Sequence, residues 1–306
     1  MYDIIGDIHG YAQALEKMLV KLGYELTGKG YVHPTRKAVF VGDFVDRGPE
    51  IIRSLEIVKQ MVDNGAAYAI VGNHEYNVIC YYTKDKEGNP LRERNLKNRT
   101  QIKRTQEEFN GNKEQKKKYL KWLRNLPVYL ELDGLRVVHA CWDSDAVELL
   151  KKTNPENRLS KKFLRRIVRE EGADYHALML LMKGREFNLP DDMVIKDSYG
   201  FRRSSFRIKW WAPMDGASFQ NLAFGNKFKL PAYTIPKEMC YPIPPYDEKE
   251  LPVFFGHYCL NGQAGVVKNN LCCVDACVAN GGRLAAYRWD GEKVLDAAKM
   301  VFELEK

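Results

Sequence analysis

Aspartate and histidine recur in this chain just beyond short apolar runs, in a pattern suited to holding divalent metal. Gly6-Asp7-Ile8-His9-Gly10 follows Tyr2-Asp3-Ile4-Ile5, and Gly42-Asp43-Phe44-Val45-Asp46-Arg47-Gly48 follows Ala38-Val39-Phe40-Val41. Gly72-Asn73-His74-Glu75 follows Ala67-Tyr68-Ala69-Ile70-Val71. Apolar runs closed by glycine predict buried strands. Three such strands in one sheet would deliver Asp7, His9, Asp43, Asn73 and His74 to a common edge, and open α/β sheets bind ligands at the carboxyl ends of their strands. Oxygen ligands together with imidazole suit divalent metals. Two more histidines stand directly after strand-like segments, in Val137-Val138-His139-Ala140 and Phe254-Phe255-Gly256-His257. One histidine at a strand end is more often structural than a ligand. Four of the chain's six histidines share that setting, beside three Asp/Asn motifs, and the joint pattern predicts a metal centre. His33 and His176 lack the context and receive no role.

The elements that would position these groups open in a strand–helix–strand rhythm. Residues 11–23 carry Leu15, Met18, Leu19 and Leu22 at helical spacing before Gly23, and residues 50–63 repeat the device with Ile51, Leu55, Val58 and Val62. Strands alternating with helices predict an α/β fold with parallel pairing. Residues 76–126 depart from the rhythm and read as long charged helices ending at Leu126-Pro127. A hairpin follows, Pro127 to Leu132 and Leu135 to Val138 about Asp133-Gly134. Residues 144–186 read as helical and basic, and 187–250 as irregular. Strand-like segments return at Val253-Phe254-Phe255, Gly265-Val266-Val267, Leu271 to Val274 and Leu284 to Tyr287. The expectation is one domain over 1–306, with a basic helical insertion at about 76–126 and a second insertion at about 144–250.

Composition narrows the class. The 306 residues are 45% hydrophobic, ordinary for a globular fold. No apolar stretch approaches the roughly 20 residues that cross a bilayer. A strand begins at residue 2 and leaves no room for a secretory signal, so a cytoplasmic location without membrane association is expected. The seven cysteines form no CxxC pair, and free buried thiols are expected over disulfides. The net charge of +8 is concentrated: Thr83 to Arg124 holds 14 Lys/Arg against 6 Asp/Glu. A patch of that kind favours anionic partners such as nucleotides or nucleic acid, the bland alternative being a solvated helical face.

In combination, GDIHG, GDFVDRG, GNHE and the two later histidines resemble the phosphoprotein-phosphatase branch of the calcineurin-like metallophosphoesterases, from residue 2 to about 290. The resemblance implies two packed mixed β-sheets flanked by helices, an αββα sandwich with a two-metal site at the sheet edge. It implies that Asp7 and His9 bind the first metal, that Asp43 bridges both, and that Asn73, His139 and His257 hold the second. Two divalent ions about 3.5–4 Å apart activate a bridging water and clamp the phosphoryl oxygens of an in-line displacement. His74 matches the family's general acid, Asp46 the carboxylate that orients it, and Arg47 the arginine that grips phosphate in a bidentate fork. Glu75 reads as structural. Manganese is the expected ion, with Fe, Zn, Ni or Co as alternatives.

The tail Cys272-Cys273-Val274-Asp275-Ala276-Cys277 with Gly281-Gly282-Arg283-Leu284 is similar to the end of bacterial diadenosine-tetraphosphatase-like and polynucleotide-phosphatase-like enzymes. Eukaryotic-type protein phosphatases read LRGNHE where this chain has Ile70-Val71-Gly72-Asn73-His74-Glu75. No GxxxxGK[ST] accompanies the motifs, so a partner kinase activity is not expected. The expected activity is phosphomonoester hydrolysis on nucleotides, nucleic-acid ends or dinucleoside polyphosphates. The alternatives are a protein Ser/Thr phosphatase and a non-catalytic nucleic-acid-binding protein of the same fold. For a second phosphate-binding arginine, Arg185, Arg202 and Arg203 are candidates.

Overall fold

The first strand, β1 (Tyr2–Ile5), shows in four residues how the chain layers itself. Ile4 joins an apolar cluster that also holds Val137, Phe254 and Cys272, whereas Ile5 joins a different one with Leu15, Met18 and Phe40. Alternate residues of a strand face opposite ways, so β1 has one side toward another sheet and one toward helices. The computed structural model describes residues 1–189, 194–196, 202–224, 230, 232–240, 246–260 and 264–304.

In chain order the elements begin with β1, α1 (Ala12–Lys21), the hairpin β2 (Glu25–Thr27) and β3 (Gly30–Val32), β4 (Lys37–Phe40), α2 (Ile51–Asp63) and β5 (Ala67–Ala69). Four helices follow: α3 (Asn73–Tyr82), α4 (Leu96–Gln101), α5 (Lys103–Phe109) and α6 (Lys113–Asn125). The predicted hairpin is β6 (Tyr129–Leu132) with β7 (Leu135–Val138), and then come α7 (Ser144–Thr153), α8 (Lys161–Glu170) and α9 (Ala173–Lys183). Short pieces fill the next stretch: β8 (Glu186–Asn188), β9 (Ile195–Lys196), β10 (Arg202–Arg203), β11 (Ser205–Arg207) and α10 (Phe219–Leu222). The chain closes with β12 (Val253–Phe255), β13 (Gly265–Lys268), β14 (Leu271–Cys273), β15 (Arg283–Trp289) and β16 (Met300–Leu304).

Two five-stranded sheets result, in the orders β16-β15-β1-β4-β5 and β13-β14-β12-β7-β6. Each is mixed: β1, β4 and β5 run parallel while β15 is antiparallel to β1, and β12 is parallel to β7 and β14 while β6 and β13 are antiparallel. Ile4, Val39, Val137, Phe254 and Cys272 form the seam between the sheets, and their neighbours Ile5, Phe40, Val138, Phe255 and Cys273 face the helical layers. This is the predicted mixed sandwich flanked by helices. The parallel strands β1, β4 and β5 end on one edge and β7 and β12 on the adjoining edge, so the two sheets send their first five motifs to one rim.

Several sequence expectations are corrected. The helical run after the third motif begins at Asn73, within the motif, because α3 starts there. The strands β2, β3 and β16 are additional. The stretch read as irregular carries the antiparallel pairs β9–β10 and β8–β11 and its own apolar cluster of Phe187, Phe206, Ile208, Phe219 and Leu222. Its strands are too short to display a period. The expectation of free thiols fails at Cys259 and Cys277, which form a disulfide with Cα atoms 4.9 Å apart. One follows β12 and the other β14, so parallel pairing of those strands brings together two residues that no local spacing connects. Cys80, Cys141, Cys240, Cys272 and Cys273 are free. No helix among the described residues is long and apolar enough to cross a membrane.

Candidate metal centre

Five of the motif residues hold backbone angles that side chains rarely adopt: His9 (φ 49°), Asp43 (55°), Asp46 (68°), Arg47 (68°) and His257 (64°). Left-handed angles at non-glycine residues persist only where surrounding contacts enforce them. In the second motif Glu75 supplies such contacts at Asp43 and the two residues after it. Its Oε1 accepts the N–H groups of Phe44 (2.8 Å) and Val45 (3.1 Å), and its Oε2 accepts those of Asp43 (2.8 Å) and Gly72 (2.9 Å). A single fully buried carboxylate thereby shapes the loop that presents Asp43, Asp46 and Arg47. Burial and the Asp43 charge push Glu75 up to about 7, while these N–H donors pull the other way. Glycines supply the close approach: a Cβ on Gly72 would run into the Asp43 carboxylate, and one on Gly256 into Asp7.

Donor atoms converge in two groups that share Asp43. His9, Asp43 and His74 form one, and Asp43, His139 and His257 the other, each with its donor atoms within 4.8 Å of one another. His9 Nε2 lies 3.6 Å from Asp43 Oδ2, and His139 Nε2 lies 3.4 Å from Asp43 Oδ1 and 3.0 Å from Asn73 Oδ1. The far nitrogens of both rings are tied to carbonyls, His9 Nδ1 to Val45 (3.0 Å) and His139 Nδ1 to Val41 (2.8 Å). Those bonds turn each Nε2 toward the carboxylate and amide oxygens. His257 Nε2 is buried and has no hydrogen-bond partner among the described residues. Asp7 takes the His257 N–H at 3.2 Å on both oxygens and does not join either group, His74 standing in the first one instead. All the predicted ligands thus gather at one rim, with Asp7 set one step back.

The electrostatics ask for positive charge. Burial, and after it the Asp275 carboxylate, holds Asp7 well above the ordinary aspartate range, and burial likewise raises Asp275. Against its own burial, Asp43 is held well below that range by His139 and His74. His139, although burial opposes it, is pushed up to about 10 by the charge of Asp43. His9 and His257 go the other way, lowered chiefly by burial. Imidazole nitrogens turned toward carboxylates, crowded acids and an orphaned imidazole nitrogen together fit a pair of cations.

Beside these groups, His74 Nδ1 donates to Asp46 Oδ2 at 2.7 Å, and its Nε2 lies 3.3 Å from Nη2 of the exposed Arg47. His74 and Asp46 are buried. Of the arginine candidates, Arg185 is paired with Asp143, and Arg202 and Arg203 lie in the short strand β10. The arginine whose charge reaches His257 is Arg207, with a buried Nε lacking a partner among the described residues. Sequence reasoning missed it, as it missed Thr105 and Asp275. Arg207 and Thr105 sit in stretches without a motif. Asp275 stood in a tail noted only for its likeness to other enzymes.

A profile of the calcineurin-like phosphoesterase family matches residues 2–194. The asymmetrical bis(5′-nucleosyl)-tetraphosphatase PrpE of Oceanobacillus iheyensis is 36% identical over 141 residues, covering 45% of this chain and 54% of that protein. Its namesake from Geobacillus sp. (strain WCH70) is 34% identical over 144 residues, covering 45% and 55%. The chain therefore spans about half the length of the curated relatives it matches. The cold-active protein-tyrosine phosphatase of a psychrophilic Shewanella shares the fold, with a TM-score of 0.52 at 15% identity over 94% of this chain and 74% of that one.

Proposed function

The chain belongs to the calcineurin-like phosphoesterase family, and from that premise we propose that it is a metal-dependent phosphoesterase acting on nucleotide-like substrates, dinucleoside polyphosphates foremost. One observation carries the reading: two donor groups that share the Asp43 carboxylate, as a bridging ligand requires. Asp7, His9 and Asp43 would hold one ion and Asp43, Asn73, His139 and His257 the other, manganese being the preferred metal. Such a pair supplies an activated water near neutral pH and neutralises phosphoryl oxygens.

The chain's own groups do the rest. Arg47 is exposed at the rim and can turn its planar fork onto phosphate oxygens. His74 protonates the departing oxygen from Nε2, and Asp46, bonded to Nδ1, fixes the ring. No covalent enzyme intermediate is required. The basic stretch from Thr83 to Arg124 supports polyanionic substrates. The names of the PrpE relatives point to dinucleoside tetraphosphates cleaved asymmetrically. Residues 1–306 read as one catalytic unit, because Phe109, Tyr119 and Leu123 of the first insertion share a cluster with Ile5 and Phe40 of the core. A cytoplasmic location belongs to the same reading.

The test is a metal-by-substrate panel of p-nitrophenyl phosphate, its bis-ester, diadenosine tetraphosphate, a 3′-phosphorylated oligonucleotide and a phosphopeptide. Manganese-dependent release of AMP with ATP from the dinucleotide is the expected result. Turnover of the phosphopeptide alone would make it a protein phosphatase, and inertness toward all five with every ion would end the enzymatic reading.

A further inference from the structure

Thr105 lies in the basic insertion, 59 residues from the second motif, yet it touches Asp46 twice. Its Oγ1 accepts the Asp46 N–H at 3.0 Å and donates to Asp46 Oδ1. Both residues are fully buried. A hydroxyl offers one donor and two acceptor lone pairs, and here the donor and one lone pair serve the same aspartate. With Oδ1 so occupied, Oδ2 faces His74 Nδ1. The N–H bond acts on the backbone of a residue whose φ is 68°, a conformation that needs support from outside the loop.

Its element, α5, is anchored independently. Three residues on, Glu108 accepts the N–H groups of Ile51 (2.7 Å) and Ile52 (2.9 Å), first-turn donors of α2 that lack an intrahelical partner. Residues three apart lie on the same face of a helix, so one face of α5 grips the second motif at Asp46 and again just beyond it. A stray surface contact would not use two side chains of one short helix on both flanks of Arg47.

Building on the function proposed above, we infer that Thr105 is a positioning residue for the general acid. It fixes the rotamer and backbone of Asp46, which fixes the imidazole of His74, and this makes the insertion part of the catalytic apparatus. In the step concerned, the oxygen of a water-derived hydroxide bonds to phosphorus as the phosphorus–oxygen bond to the leaving group breaks, and the His74 Nε2 proton passes to the departing oxygen. Thr105 exchanges no atom with substrate.

The test uses the full chain with saturating Mn²⁺ and aryl phosphates graded by leaving group, from 2,4-dinitrophenyl through p-nitrophenyl to phenyl. Dinitrophenolate leaves without a proton and phenolate needs one. Positioned acid catalysis contributes about 10²–10⁴-fold, so in Thr105→Val the kcat for phenyl phosphate should fall about 30-fold or more while the dinitrophenyl ester changes less than about threefold. Thr105→Ser keeps the hydroxyl and should restore the phenyl rate to within about threefold of wild type. An equal fall on all three esters, or no rescue by serine, overturns the inference. If Thr105→Val fails to fold, Thr105→Ala carries the same comparison. A readout independent of turnover is the downfield proton resonance of His74 Nδ1–H. Its loss or upfield shift in the valine variant and retention in the serine variant support the inference, and an unchanged resonance overturns it. Failure of the functional reading is distinct, because wild type would then hydrolyse none of the esters while the proton resonance still reports on Thr105.

Discussion

Replacing Glu75 by glutamine should damage stability and the metal centre together. Each of its carboxylate oxygens accepts two backbone N–H groups, Phe44 and Val45 on Oε1 and Asp43 and Gly72 on Oε2. Glutamine keeps one acceptor oxygen and turns an NH₂ toward the other two donors. Hydrogen bonds to a charged group contribute about 1.5–3 kcal/mol each, so two lost bonds amount to roughly 3–6 kcal/mol. Domains unfold at a total cost of only about 5–15 kcal/mol. At about 2–3 °C per kcal/mol for a chain of this size, the melting temperature should drop by roughly 6–18 °C. Because the same N–H groups set the loop that carries Asp43 and Asp46, bound metal and turnover should fall with it. Thermal unfolding by circular dichroism at fixed Mn²⁺, together with elemental analysis, measures both effects. Glu114→Gln, on an exposed turn of α6, is the control and should shift stability by less than about 0.5 kcal/mol. If Glu75→Gln melts within about 2 °C of wild type and keeps its metal, the reasoning is wrong.

Chelation should lower the melting temperature by roughly 5–8 °C, since an ion at a hundred times its Kd stabilises the fold by about 2.7 kcal/mol; an unchanged melting curve would count against the centre. His257→Ala removes a ligand whose Nε2 has no other partner among the described residues, and should cut bound metal by about one ion per chain in elemental analysis. Arg47→Lys should raise KM about tenfold, a loss of about 1.4 kcal/mol, since an ammonium cannot reproduce a bidentate fork. Among the five free thiols, burial pushes Cys80 up to about 12 and raises Cys141, Cys272 and Cys273, so in native protein iodoacetamide should label Cys240 first, as peptide mass spectrometry would show.

Much of the site was legible because its chemistry is local. Asp7, His9, Asp43, Asn73, His139 and His257 each follow a strand directly, and strand pairing alone brings such residues to one edge. The pairing of His74 with Asp46 was implied by the resemblance of the motifs that contain them to those of a known family. Thr105 and Arg207 were not legible, because each acts across the fold from a segment whose own pattern carries no chemical signal. The role of Glu75 was read as structural, and the structure gives that word content as a four-donor clamp on a loop of left-handed residues.

Alternating apolar patterns and motif spacing, both short-range properties, predicted strands alternating with helices and the side chains that would meet at a strand edge, and the motifs' resemblance to a known family added the mixed α/β sandwich. Which remote residues press on those side chains was settled only by tertiary packing: Thr105 against Asp46, Glu108 on α2, Cys259 with Cys277, and Arg207 near His257. Such contacts depend on where insertions dock and how two sheets register. Those outcomes come from burial summed over the whole chain, and no window of sequence contains them.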